Sequence, residues 1–210
     1  VHNHEYIIHY VEHGKLHGEH FLVMEYVEGL NLKEAMADET MDLSELIGNI
    51  LIDSAEALEH VHDCGYMHLD FKPENILVSR NGNVRLLDFD LSQARPETPI
   101  KLQKNPGTPA YMAPEQLQRE AIDHRVDIFS FGVSAYEMDA GALPWSAAVV
   151  TCPAAMEHDK PPTPIENHCP DLDQRLVQLI HRCIAADPVN RPQSMEEVET
   201  TLTQMEGKDA

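Results

Sequence analysis

The stretch from Tyr66 to Asp90 constrains this chain more than any other. Ile76 to Val78 and Val84 to Leu87 have strand composition, and Ser79-Arg80-Asn81-Gly82-Asn83 between them carries the Asn-Gly hairpin signal. A hairpin of that size brings Asn75, just before its first strand, near Asp88, just after its second. Two oxygen-bearing side chains then converge at one end. Such a pair suits a hard cation such as Mg²⁺, which completes its shell with phosphate and water. Asp70 lies five residues before Asn75 and is placed to accept or orient the proton of a substrate hydroxyl.

These residues carry a resemblance. His68-Leu69-Asp70-Phe71-Lys72-Pro73-Glu74-Asn75 resembles the protein-kinase catalytic loop H-R-D-x-K-x-x-N. Asp88-Phe89-Asp90 resembles D-F-G, and Gly107-Thr108-Pro109-Ala110-Tyr111-Met112-Ala113-Pro114-Glu115 resembles an activation segment closing on A-P-E. The likeness runs from about Glu5 to Leu202 and is greatest to bacterial receptor-like serine/threonine kinases. It implies an α+β, protein-kinase-like fold: a mainly helical C-terminal lobe (residues 31–206) behind a truncated β small lobe (1–30), with a tail at 207–210. It also implies transfer of the ATP γ-phosphate to protein Ser/Thr hydroxyls, with Mg²⁺ on Asn75 and Asp88. Asp70 would be the base or orienting carboxylate. Lys72 would neutralise phosphoryl oxygens, and a lysine at this place resembles the serine/threonine class. Met24 would be the gatekeeper, Glu25 and Val27 would offer hinge backbone to adenine, Asn31 would meet the ribose, and Leu77 would be a further contact to the nucleotide. By the same likeness His68 packs on Phe89, and Thr108 bonds Asp70 and Lys72. Asp127 holds the catalytic loop, Arg191 pairs with Glu115, and Ser92 and Thr98 are candidate phosphosites.

Two residues depart from the pattern. Leu69 replaces the arginine that pairs with a phosphorylated activation segment, so regulation through that pair is not expected. Asp90 replaces glycine, at a position where unusual backbone angles would favour glycine.

Charge narrows the partners. Lys and Arg number 15 against 36 Asp and Glu, a net charge of -21. Nucleic acid and anionic membrane surfaces are poor partners for such a chain, whereas a basic protein substrate is compatible with it. Cys64, Cys152, Cys169 and Cys183 show no C-x-x-C spacing and read as reduced thiols of a cytoplasmic protein. No apolar run reaches spanning length and no signal peptide opens the chain, so membrane contact would need a segment outside this region. A first residue of Val1 suggests a chain that begins inside a longer one.

Tyr6 to Val11 and Phe21 to Val27 read as strands, with a turn over His13 to Gly18. His2, His4, His9, His13, His17 and His20 repeat at neither helix nor strand period and have no cysteine among them. Solvated imidazoles are expected there rather than a metal site. Leu43, Leu46, Ile47, Ile50, Leu51, Ser54, Leu58 and Val61 follow one-sided helical spacing, closed by Gly65. Asp127 to Glu137 reads as a helix buried on most sides. Residues 146–170 are Pro-rich and irregular. Leu172 to Ile184 gives another amphipathic helix. Ser194-Met195-Glu196-Glu197 reads as a capping box before a last helix with Met195, Val198, Leu202 and Met205 inward.

No G-x-G-x-x-G loop and no V-A-I-K-like lysine occur in these 210 residues. The chain therefore resembles a kinase large lobe with a stub of the small lobe. The alternative is a non-catalytic, pseudokinase-like scaffold that binds proteins through the same lobe. Small-molecule phosphotransferases of the aminoglycoside kind share an H-x-D…N…D arrangement. They lack the A-P-E segment with its distant arginine.

Overall fold

The computed structural model describes residues 3–145 and 161–207. Most of the Pro-rich stretch read at 146–170, with Cys152, and the end of the tail lie outside the described residues.

The fold is α+β. Strands β1 (Tyr10–Leu16) and β2 (Glu19–Met24) form an antiparallel hairpin in which Leu16 faces Glu19 and Tyr10 faces Met24. Its turn is only His17-Gly18, both at positive φ (51° and 92°), as a two-residue hairpin turn requires. The first strand thus lies further along the chain than its composition suggests. Tyr6 to Ile8 instead lies along another strand, with Leu86 N donating to Tyr6 O at 2.7 Å and Ile8 N to Leu86 O at 3.0 Å. Gly14 is not a turn residue. A Cβ there would stand 2.6 Å from the Phe21 ring, so glycine makes room for a cross-strand aromatic.

Next come β3 (Leu30–Asn31), α1 (Leu32–Ala37) and α2 (Ile47–Asp63). Helix α2 begins four residues later than the apolar spacing alone suggests; Ser44 to Leu46 form a turn before it. Ile50, Leu51, Ser54, Leu58 and Val61 are buried along it, and Gly65 follows it at φ 82°. Then β4 (Tyr66–Met67) leads to β5 (Ile76–Val78) and β6 (Val84–Leu86), which pair antiparallel with Val78 facing Val84. With β3 they make a three-stranded sheet. Downstream, β7 (Gln93–Ala94) pairs with β4, and β8 (Ile100–Lys101) pairs with β9 (Ala121–Ile122), which follows α3 (Pro114–Leu117).

Helix α4 (Arg125–Ala140) is the centre of the molecule, and every residue from Val126 to Met138 is buried. Its hydroxyls all find carbonyls: Ser130 shares its proton between Tyr111 O and Val126 O, Ser134 donates to Ser130 O, and Tyr136 donates to Thr163 O. Around it pack α2 and α5 (Gln174–Cys183), and α6 (Met195–Met205) lies against α2. A Cβ on Gly132 would stand 2.5 Å from the Cys183 Cβ, so glycine sets how closely α4 and α5 approach. Ser194 caps α6 by accepting from Glu197 N at 3.2 Å. The reciprocal bond of a capping box is absent, because Glu197 accepts from Gln193 N instead. Among the described residues no helix is long and apolar enough to cross a membrane.

Candidate active site

The site is built on a buried carboxylate beneath a loop. Asp127, wholly buried in the first turn of α4, accepts from His68 N and Leu69 N, each at 2.8 Å, and from His62 Nε2 at 2.9 Å. Burial alone would raise its carboxyl. The His62 bond, the nearby imidazoles and the Leu69 N–H together hold it below the usual carboxylate range. This clamp fixes Leu69 at φ 67°, a conformation open to few side chains other than glycine. The Leu69 side chain is buried in the core. Sequence reasoning did not single out His62, although a histidine beside Leu58 and Val61 on the buried face of α2 was a visible signal.

Past the clamp the loop turns its polar groups together. Asp70 Oδ1 accepts from the Thr108 hydroxyl at 2.8 Å, and Asp70 Oδ2 lies 3.0 Å from Lys72 Nζ. Lys72 Nζ also donates to Thr108 Oγ1 at 2.5 Å. Asn75 Nδ2 donates to Asp70 O at 2.8 Å and to Asp70 Oδ2 at 3.1 Å. With both amide hydrogens engaged, its Oδ1 is left as the acceptor. Leu87 N donates to Asn75 O at 2.8 Å, which ties the two ends of the β5–β6 hairpin together.

Asp88 follows at φ 58° with its carboxylate exposed, and its Oδ1 accepts from Asp90 N at 3.2 Å. The unusual backbone angle therefore falls on Asp88, while Asp90 avoids positive φ. His68 meets Phe89 edge to face at 5.0 Å, and its Nε2 donates to Leu87 O at 3.0 Å. Burial pushes this imidazole below its ordinary pKa, against the pull of Asp127 and the Leu87 carbonyl. Its Nδ1 accepts from Asp70 N at 3.3 Å.

A cavity of about 670 Å³ opens between the β1–β2 hairpin and this loop. Asn75 and Asp88 line it with Met24, Ile7, Leu22 and Phe89. A cluster of one amide oxygen and one exposed carboxylate, next to an apolar wall, fits a divalent cation that takes its remaining ligands from a phosphate and water. Glu25, Val27, Asn31 and Leu77 do not line this cavity. Glu25 Oε1 instead accepts from His9 N at 2.9 Å and meets Arg85 at 3.4 Å, and Val27 is half-buried beyond β2. Asn31 caps α1 by accepting from Glu34 N at 2.9 Å, and Leu77 faces it across β3–β5.

Two more ion pairs surround the site. Arg191, 1% exposed, grips Glu115 with both arms at 2.7 and 2.8 Å. It also donates to the carbonyls of Arg125, Ala185 and Ala186 and stands 4.9 Å over the Phe129 ring. Glu137, unmarked by sequence reasoning, is buried between Lys33 Nζ and the Tyr111 hydroxyl, the latter at 2.6 Å. Burial, and then the Glu137 bond, push the Tyr111 phenol far above its usual range.

Comparison with known proteins shows the family. A family model described as the protein kinase domain matches residues 1–202. A probable serine/threonine-protein kinase of Clostridium perfringens is 33% identical over 179 residues, covering 85% of this chain and 26% of the relative. Serine/threonine-protein kinase PknB of Mycolicibacterium smegmatis is 29% identical over 185 residues, 87% of this chain and 30% of the relative. Serine/threonine-protein kinase pkn2 of Myxococcus xanthus is 31% identical over 208 residues, 95% of this chain and 25% of the relative. The chain thus spans between 25% and 30% of the length of these three relatives.

Proposed function

The chain belongs to the protein kinase family, and from that premise we propose that it carries the phosphate-transfer machinery of an ATP-dependent serine/threonine protein kinase. The observation that carries this reading is the joint engagement of Asp70 by Lys72, Thr108 and Asn75. A carboxylate so held keeps one fixed orientation toward an incoming Ser or Thr hydroxyl, and it takes or orients that proton as the oxygen attacks phosphorus. Lys72, an ammonium beside it, offsets charge on the transferring phosphoryl oxygens. Asn75 Oδ1 and the Asp88 carboxylate would hold Mg²⁺, which when bound neutralises the phosphate charge. Met24, Glu25, Val27, Asn31 and Leu77 are assigned to the nucleotide side. For Asn31 that role would fall to the amide nitrogen, because its oxygen already caps a helix. The assigned division is a small-lobe remnant at 1–30, a C-terminal lobe at 31–206 and a tail at 207–210.

Asp70→Asn in the full-length protein tests this. Transfer from ATP to a Ser/Thr protein should fall by at least about 10²-fold with unchanged melting. Undiminished transfer would overturn the assignment. One observation favours the non-catalytic alternative: both faces of β1–β2 lie open, with Met24 46% exposed on one and Val23 40% exposed on the other. Full-length protein that captures a partner through this surface, and shows no transfer before or after the Asp70 substitution, would select that alternative.

A further inference from the structure

The net charge of -21 is not spread evenly. Residues 93–119 hold four of the 15 Lys and Arg (Arg95, Lys101, Lys104, Arg119) but two of the 36 Asp and Glu, Glu97 and Glu115. Glu115 is buried against Arg191 and adds no field at the surface. Arg95 is half-buried, with its guanidinium on the His62 carbonyl. That leaves three exposed cations, Lys101, Lys104 and Arg119, against two exposed carboxylates, Glu97 and the Glu120 that follows Arg119. None of the three has an ion-pair partner among the described residues.

The fold gathers them. Lys101 lies opposite Ala121 in the β8–β9 ladder. Arg119 stands two residues before Ala121, at the end of β9 that Lys101 faces. Arg119 sits at φ 56° as the turn closing α3, where its N–H donates to Gln116 O at 3.1 Å, so the cation stands on a fixed base. Lys104 lies four residues before Thr108, whose hydroxyl is on Asp70. Four extended residues reach about 14 Å at most.

We infer that Lys101, Lys104 and Arg119 form a docking face for acidic side chains flanking the acceptor hydroxyl, so that the preferred substrate is an acidic segment rather than a basic one. The inference rests on Asp70 lying at the acceptor hydroxyl. It opposes what the net charge alone suggests. A chain this acidic repels acidic peptides unless a local field reverses the sign. A peptide lying from Asp70 toward β8 would enter such a field within about four residues of its acceptor.

The test separates this inference from the kinase reading by measuring binding without transfer. The probe is a short fluorescent peptide with Ala at the acceptor position and Glu on both sides, compared with the same peptide carrying Lys in place of Glu. Anisotropy on the full-length protein should show the acidic peptide bound about tenfold more tightly at low salt. The preference should fade as ionic strength rises from about 0.01 M to about 1 M, where the screening length shrinks from about 30 to about 3 Å. The triple variant Lys101→Glu, Lys104→Glu, Arg119→Glu should lose or reverse the preference while melting as the parent does. Lys15→Glu, on the distant hairpin, should leave it unchanged. Equal binding of both peptides, tighter binding of the basic one, or a preference that survives the triple variant would overturn the inference. So would an oligonucleotide of matched charge that binds as tightly as the acidic peptide. Loss of transfer with the binding preference intact would count against the kinase reading alone.

Discussion

Two antiparallel hairpins in this chain obey the same local rules and end in opposite circumstances. The hairpin β1–β2 turns on His17-Gly18, and the hairpin β5–β6 turns beside Asn81-Gly82, each with glycine at positive φ. Yet β2 is exposed at every residue, whereas Ile76, Val78, Val84 and Leu86 are each about 1% exposed or less. Among the described residues the first makes its ladder bonds within itself, apart from Glu25 N reaching back to His9 O. The second is held by β3 on one side and Tyr6 to Ile8 on the other, with α2 beneath. Turn chemistry makes a hairpin; burial makes it a platform on which a loop can hold Asp70, Asn75 and Asp88 in place.

The sharpest way to break the platform is from below. Asp127→Ala leaves two loop N–H groups and His62 without an acceptor, so it should destabilise the protein by about 3–5 kcal/mol in denaturant melts. Its pH dependence has a definite sign. The carboxyl is lowered by folding, so its contribution is present above the unfolded value near ~3.9 and is lost as pH falls through the lower folded one. The parent should therefore lose stability on acidification more steeply than the variant.

The comparison itself is tested by one pair of truncations. Leu86→Ala in the buried hairpin should cost about 2–5 kcal/mol. Leu22→Ala in the exposed one should stay within about 0.5 kcal/mol. Similar costs at the two positions would mean that β1–β2 is covered in solution. Asp139 sharpens the picture from the far side of the core. Burial pushes its carboxyl up to about 6, and its Oδ2 has no hydrogen-bond partner among the described residues. A raised carboxyl gives full stability below the unfolded value and loses it as pH climbs toward the folded one. Asp139→Asn should accordingly gain about 2 kcal/mol over the parent at pH 7.5 and nothing near pH 4, read from paired melts. The smallest effect separates the two turns. Gly82→Ala and Gly18→Ala each force a side chain into positive φ at about 1 kcal/mol. Only Gly82→Ala, whose Cβ would come 3.1 Å from Leu46, should lower the global melting temperature. Gly18→Ala should appear only as faster amide exchange along β1–β2.

The same contrast explains what could be read from the residues alone. The β5–β6 hairpin and its turn were legible, because every signal lies within a dozen residues. The one-sided faces of α2, α5 and α6 were legible from spacing. The start of β1 was not. Tyr6-Ile7-Ile8 has strand composition, but its partner is Leu86, far along the chain, and local pattern cannot report a distant edge. Gly14 looked like turn punctuation and is a packing glycine. Within the site, Asp70, Lys72, Asn75 and Asp88 stood out by residue type and order. The groups that position them, His62 under Asp127 and Tyr111 with Lys33 on Glu137, became visible only when helices distant in sequence packed together.

The Arg191–Glu115 clamp has a consequence for how the protein is made. The two partners are 76 residues apart, and Arg191 comes second. At about 5–20 residues per second, a ribosome that has just delivered Glu115 needs roughly 4–15 s to deliver Arg191. Through that interval the nascent chain has the loop of Asp70 and Asn75 but no bolt beneath the segment that ends at Glu115. Glu115 remains a solvated carboxylate, and the segment cannot settle against α4. The clamp then closes only once Arg191 emerges, so a half-made molecule holds Asp70, Asn75 and Asp88 before Glu115 has its partner.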